Sequence, residues 1–185
     1  MTHNLFGAVR LAVFSILICC VVYTGFIWGA AQLFAPDTAN GHLIRDDMGT
    51  VIGSRQIAQK FTLDRYFHSR PSAVDYNGAG SGGSNLSSAS PKLRRQAEER
   101  IAGYGATPDR PLPVDLATAS GSGLDPDISL AAAQYQIPRI AKARSIPPEA
   151  IGKIVAASVS YPGGFITSEP FVNVLELNLK LDKLN

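Results

Sequence analysis

The stretch LAVFSILICCVVYTGFIWGAAQLFA, from Leu11 to Ala35, carries no charged residue and constrains the fold more than any other feature of the chain. As a helix rising about 1.5 Å per residue it reaches roughly 37 Å, more than a hydrocarbon core of about 30 Å requires. It is expected to span a membrane. Gly29 and Ala31 imitate the small residues of a secretory cleavage site, but a signal core holds only about 7 to 15 apolar residues, so the length favours an uncleaved anchor. Tyr23 and Trp28 suit the outer interface, where amphipathic rings collect. Arg10 lies at the near edge of the span, whereas Arg45 sits farther from the other end beside Asp46 and Asp47. That asymmetry favours an amino terminus inside and a domain outside.

The expected organisation is therefore a flank over residues 1–10, a membrane helix over 11–35 and one compact α/β extramembrane domain over 36–185, an α+β chain as a whole. The formal net charge is +2, far below the basic density of a nucleic-acid binder. The only cysteines, Cys19 and Cys20, are adjacent within the apolar run. Neighbouring side chains on a helix diverge, so this pair implies neither a disulfide framework nor a metal site.

Beyond the span, Leu43-Ile44 and Val51-Ile52 are short apolar clusters separated by acidic residues and Gly49, a β-hairpin pattern. Ser90-Pro91 opens a helix with Leu93, Ala97, Ile101 and Tyr104 on one face, and Gly103 and Gly105 end it. The pairs Arg94/Glu98 and Arg95/Glu99 mark its solvated side. A longer helix begins near Ser129, with Leu130, Ala133, Ile137, Ile140 and Ala141 inward and Tyr135, Arg139 and Lys142 opposite. Pro138 removes the backbone donor that would meet the Gln134 carbonyl. Another helix fits Pro148 to about Val159. The closing leucines 175, 177, 179 and 181 alternate like a strand, yet Leu177, Leu181 and Leu184 also suit a helix; a strand over Phe171–Val174 running into a terminal helix is the expected arrangement.

Gly78, Gly80 and Gly83 spell G-x-G-x-x-G. A dinucleotide loop must follow a buried strand and open a helix, so that exposed N–H groups meet the pyrophosphate. Here AVDY precedes the loop and the next helix starts only at Pro91. A P-loop fails as well, because Ser84 stands where lysine is needed. Gly82-Gly83-Ser84-Asn85-Leu86 misses the nucleophile-elbow pattern at its last position. DPDIS, residues 125–129, opens like a calcium loop, but Leu130 and Gln136 occupy the glycine and glutamate positions. His3, His42 and His68 show no ligand spacing. The loop YFHSRPS admits two readings: a binding site built on His68 and Arg70, or a segment anchored by Tyr66 and Phe67 whose polar groups satisfy nearby carbonyls.

In order along the chain, the single amino-terminal span, VIGSRQIAQKF, YFHSRPSA, GGSNL with its following Ser-Pro, SGSGLDPDIS, QIPRIAKAR and VNVLELNLKLD resemble the C subunit (KdpC) family of the Kdp-type potassium-transporting P-type ATPase. The resemblance covers nearly the whole chain. Departures are small: Ser69 where family members often have glycine, and IPPEAI where serine or threonine often caps the helix. It implies an accessory, noncatalytic subunit of the cell (inner) membrane, assembled with a channel-like potassium-translocating subunit, an ATP-hydrolysing subunit and a small single-span peptide. The chain agrees in lacking an Asp-Lys-Thr-Gly phosphorylation motif. No cofactor is expected on the chain alone; ATP would be shared with the hydrolytic subunit, whose ATP affinity the family is described as raising, and Gln134 and Gln136 are the candidate glutamines. The motifs point to Tyr66, Phe67, His68, Arg70, Gly82, Gly83, Ser84, Asn85, Gly123, Asp125 and Arg139 as partner-contact or structural residues. GGSNL is then an ordered turn rather than a linker. An independent membrane-anchored enzyme using the His68 and Ser84 region, or a nucleotide-binding module using the glycine loop, are the alternatives.

Overall fold

The computed structural model describes residues 2–162, 164 and 169–184, and the chain divides into two compact units, Met1–Ile52 and Gly53–Asn185. The fold is α+β: one amino-terminal apolar helix and a mixed helix and sheet region.

In the first unit, helix α1 (Thr2–Ile16) continues through a π-helical segment (Leu17–Val22) into α2 (Tyr23–Phe34). Its apolar run, Asn4–Phe34, has a mean hydropathy of 2.5 and no buried residue, and is long and apolar enough to cross a membrane. At about 1.5 Å per residue its 31 residues reach about 46 Å. The Thr24 hydroxyl donates to the Cys19 carbonyl five residues back, at 3.4 Å, inside the segment where widened π geometry loosens the regular ladder. Pro36 stops the helix and opens the short α3 (Pro36–Ala39). Strands β1 (Leu43–Arg45) and β2 (Val51–Ser54), the latter running across the chain boundary between the units, form the expected two-stranded sheet. Its turn is fastened by Asp46, whose Oδ1 accepts from the N–H groups of Met48 and Thr50.

The second unit begins with a long irregular segment and then α4 (Pro91–Gly103), α5 (Val114–Ala117), β3 (Asp127–Ser129), α6 (Leu130–Arg144), α7 (Pro148–Ala156), β4 (Val159–Ser160), β5 (Phe171–Asn173) and α8 (Val174–Asp182). The sheet has the order β3-β5-β4, with both pairings antiparallel and Val172 of β5 opposite Ile128 and Val159. Ile128 and Val172 are fully buried and meet Ala133, Ile151, Leu177 and Leu181 in one core. Strands this short have no legible alternation, so DPDIS reads as a loop in the sequence although its last three residues pair with β5.

Caps mark the helices as the residues imply. Ser129 accepts from the Ala132 N–H at 3.1 Å and Asn173 accepts from the Glu176 N–H at 3.1 Å, each satisfying one otherwise orphaned donor. Asn173 also resolves the closing leucines: with the cap in place Leu177 and Leu181 share the buried stripe of a helix, while Leu184 is exposed.

Two helical faces keep most of their expected residues, with Leu93, Ala97 and Tyr104 of α4 half-buried and Ala133, Ile140 and Ala141 of α6 buried beside the core-packed Leu130 and Ile137. Each departs at one point. In α4, Ile101 is 41% exposed, and the half-buried side carries Arg100 beside Leu93, Ala97 and Tyr104. In α6 the buried stripe is Ala132, Ala133, Gln136, Ile140 and Ala141. A glutamine in that stripe must find hydrogen-bond partners, because burying an amide unpaired costs about 1–3 kcal/mol.

Candidate functional site

The segment Asp64–His68 has no regular secondary structure, yet Phe67 is fully buried. Its backbone therefore has to be satisfied by other groups. Asn178 of α8, 1% exposed, accepts from the Phe67 N–H at 2.8 Å and donates to the Phe67 carbonyl at 3.0 Å. Gln136 of α6, equally buried, does the same one residue on: it accepts from the His68 N–H at 2.8 Å and donates to the His68 carbonyl at 3.2 Å. Two carboxamides thus replace the neighbouring strand that an extended segment would otherwise need. Arg139 donates to the carbonyls of Asp64 and Tyr66 at 2.6 and 3.0 Å. Arg144 donates to the carbonyl of Arg65 at 2.8 Å and pairs with Asp182 at 2.6 Å.

Tyr66 donates its hydroxyl to Asp182 at 3.1 Å, and the guanidiniums of Arg65 and Arg144 each lie 5.1 Å from its ring centroid. Burial alone would raise the Asp182 carboxyl, but hydrogen bonds from Arg144 and Tyr66 outweigh it and hold the group below its ordinary value. The anchoring role of Phe67 is thus visible, and His68 does satisfy a carbonyl, that of Leu63, at 3.2 Å. Arg70 instead pairs with Asp125 at 3.1 Å.

One side of this strap opens into a cavity of about 430 Å³ lined by Asp64, His68, Arg100, Gly103, Tyr104, Arg110, Tyr135, Gln136 and Arg139. Burial first, and the Arg139 charge second, push the His68 imidazole below its ordinary value. A carbonyl only accepts, so the contact with Leu63 places the proton of the neutral ring on Nε2 and leaves Nδ1 to accept from the Tyr104 hydroxyl, 3.3 Å away. Tyr104 also meets Tyr135 edge-on, with ring centroids 6.3 Å apart, and its own phenol is raised by burial. The Arg110 guanidinium lies 4.3 Å from the Tyr135 ring centroid and donates to the Tyr135 carbonyl at 2.6 Å.

Of the residues singled out in the sequence, His68, Gln136 and Arg139 line this one cavity. Tyr66, Phe67, Arg70 and Asp125 lie outside its lining. Gln134 is exposed and lines a separate groove with Leu130, Gly152 and Tyr161. The two glutamines are therefore differently placed: Gln136 also bonds the Ala132 carbonyl and the Arg139 guanidinium, which commits its amide to the fold.

The glycine loop packs against SGSG at 120–123. Gly82 N–H donates to the Ser122 carbonyl at 2.8 Å, and Ser72 Oγ donates to the Gly123 carbonyl at 2.6 Å. A Cβ on Gly83 would stand 2.9 Å from the Gly121 carbonyl oxygen. Gly123 has φ +68 and its Cβ would come within 2.7 Å of Val74 and 2.8 Å of the Gly82 oxygen, so both the backbone shape and the space require glycine. Asn85 takes the left-handed conformation at φ 52, and the Ser84 hydroxyl accepts from the Leu86 N–H at 3.5 Å. Ser84 and Gly83 line a smaller cavity of about 260 Å³ that also receives Lys92, Gln96 and Arg100.

Sequence reasoning missed Asn178, Arg100, Arg110 and Tyr135 as members of these arrangements. The one available signal was polarity out of place: Asn178 interrupts the leucine run of α8, and Arg100 lies on the half-buried side of α4.

Comparison with known proteins gives a consistent result. The family model described as KdpC, K+-transporting ATPase, c chain, matches residues 5–183. A potassium-transporting ATPase KdpC subunit of Parvibaculum lavamentivorans is 47% identical over 182 residues, which are 98% of this chain and 97% of the relative. Its counterpart in Rhodopseudomonas palustris is 45% identical over 94% of this chain and 96% of its own. That of Acidobacterium capsulatum is 46% identical over 99% and 100%.

Proposed function

The chain belongs to the KdpC family, and from that premise we propose that this accessory subunit of a potassium-transporting ATPase assembles with, and steadies, the channel-like and ATP-hydrolysing subunits and the small single-span subunit. The observation that carries the reading is the extent of the match: residues 5–183 fit one family model, so span and folded domain are inherited together. One apolar helix cannot enclose an ion path, so its role is to anchor the chain among partner spans. The side-chain clamp on residues 64–68 supports a rigid surface: five consecutive backbone carbonyls, from Asp64 to His68, are held by Arg139, Arg144, Asn178 and Gln136. A preorganised loop loses little entropy on docking.

The domain lies outside the cell in this proposal, with the Arg10 flank inside, and braces the channel-like subunit near the ion entrance. ATP is then not touched directly, and any rise in the ATP affinity of the hydrolytic subunit is transmitted through the complex. The alternative, direct contact with shared ATP, draws support from Gln134, which is exposed beside a groove of about 340 Å³.

Cysteine placed at Ser87, with Cys19 and Cys20 changed to serine, is the test. In intact cells a membrane-impermeant thiol reagent should label it, and the labelled chain should co-purify with two larger membrane polypeptides and potassium-stimulated ATP hydrolysis. Labelling only after lysis would refute the exterior domain and favour the ATP-contact reading. Purification without partners would refute the assembly role.

A further inference from the structure

The second unit holds nine arginines, and three of them are neutralised at close range. Arg55, Arg70 and Arg144 each meet a carboxylate within 3.1 Å: Glu176, Asp125 and Asp182. The three that line the 430 Å³ cavity do not. Arg100 donates to the Ala117 carbonyl at 3.0 Å and Arg110 to the Tyr135 carbonyl at 2.6 Å. Neither has an ion pair among the described residues. Arg139 has only Asp64, at 3.7 Å, whose side chain is 77% exposed. A carbonyl orients a guanidinium without cancelling its charge, so the cavity wall keeps a positive excess that water-exposed Asp64 screens poorly.

Two polar atoms of lining residues, Tyr135 Oη and Arg139 Nε, have no hydrogen-bond partner among the described residues and are closed to water, as is Arg70 Nε outside the cavity. Each can donate, and an acceptor that meets them once the side chains rotate toward the cavity satisfies an otherwise orphaned donor. Unneutralised guanidiniums and unused donors around one hollow require the same complement, an acceptor-only group carrying negative charge. The volume lies within the range of small-molecule sites, about 300–1,000 Å³.

We propose that this cavity binds a small oxyanion, through a phosphate or carboxylate group, with Arg100 and Arg110 supplying charge and Tyr135 and Arg139 supplying directed donors. The inference stands on the charges and orphaned donors of the cavity and does not rest on the transport role. Arg139 also holds the Asp64–His68 strap through the carbonyls of Asp64 and Tyr66, so an occupied cavity stiffens the segment that Gln136 and Asn178 clamp.

The experiment uses the full chain in detergent micelles, with inorganic phosphate and succinate titrated separately by calorimetry at constant ionic strength against chloride. Saturable binding of either anion is expected, phosphate alone identifying a phosphoryl site and succinate alone a carboxylate site. Arg110→Gln should weaken the bound anion about tenfold and Tyr135→Phe several-fold, as loss of charge-assisted and neutral hydrogen bonds implies. Tyr135→Phe keeps the ring beneath Arg110 and so preserves the packing, which leaves the idea testable if Arg110→Gln fails to fold. Lys183→Gln, outside the cavity, should change nothing. Absence of saturable binding by either anion up to about 50 mM, weaker than any useful affinity, would overturn the proposal. So would equal affinities in the parent and a folded Tyr135→Phe variant.

Discussion

Replacing Asn178 by leucine tests the side-chain clamp directly. Asn178 is 1% exposed and Phe67 fully buried, so the substitution, which keeps the branched shape with somewhat more bulk, leaves the Phe67 N–H and carbonyl with no partner and little access to water. Each unsatisfied buried backbone group costs about 1–3 kcal/mol. The added apolar contact of leucine offsets part of this, while its extra bulk in a packed core works the other way. The expected net loss is about 2–4 kcal/mol, a large share of a typical domain stability of about 5–15 kcal/mol. The only tryptophan, Trp28, lies in the apolar helix, so unfolding of the domain is best followed by near-ultraviolet circular dichroism of its tyrosines in urea. Amide exchange at Phe67 gives the local readout, and it should accelerate by a factor of about 30 or more for a loss above 2 kcal/mol. Asn178→Asp sharpens the test. It keeps the acceptor for the Phe67 N–H but, when ionised, has no proton for the carbonyl; burial raises such a carboxyl, and protonation restores the donor. Its deficit relative to the parent should therefore shrink as pH falls. A leucine variant within about 0.5 kcal/mol of the parent, the scale of neutral surface changes, with unchanged exchange at Phe67, would refute the reasoning.

Gly123→Ala should destabilise the domain by about 1–3 kcal/mol, because φ is +68 and the new methyl meets Val74 and the Gly82 oxygen; Gly80→Ala, with nothing within 4 Å, should be nearly neutral, and parallel urea titrations check both. The pH dependence carries the His68 signature. Its folded value lies below the ordinary 6.5, so the unfolded chain takes up the proton first, and the stabilising contribution present above about pH 6.5 is lost as pH falls towards the folded value. His68→Gln should flatten that part of the stability profile. The separate loss from Asp182, whose carboxyl is held below 3.8, should remain at lower pH, reduced by solvent screening at its 40% exposed side chain.

What the sequence determined by itself is what depends on neighbours along the chain. An uncharged run from Leu11 to Ala35 has one low-energy form in a membrane, because only a helix satisfies its own backbone there. Ser129 and the hairpin clusters at Leu43 and Val51 likewise act over a few residues, and those elements stand where expected. Two-stranded pairing of DPDIS with Phe171–Asn173 was hidden because three residues carry no period and their partner lies more than forty positions away. The same distance hid the site. Phe67 and Asn178 are separated by 111 positions and His68 and Gln136 by 68, and no local rule says which buried amide will meet which orphaned backbone group. Of the cavity's arginines only Arg139 stood out in the sequence, through its motif, while Arg100 and Arg110 carried no local signal. Only the folded chain shows that Arg100, Arg110 and Arg139 surround one hollow while their carboxylate-paired neighbours do not. Charge neutralisation depends on distance in space, and that distance is set by how α4 and α6 pack around the strap.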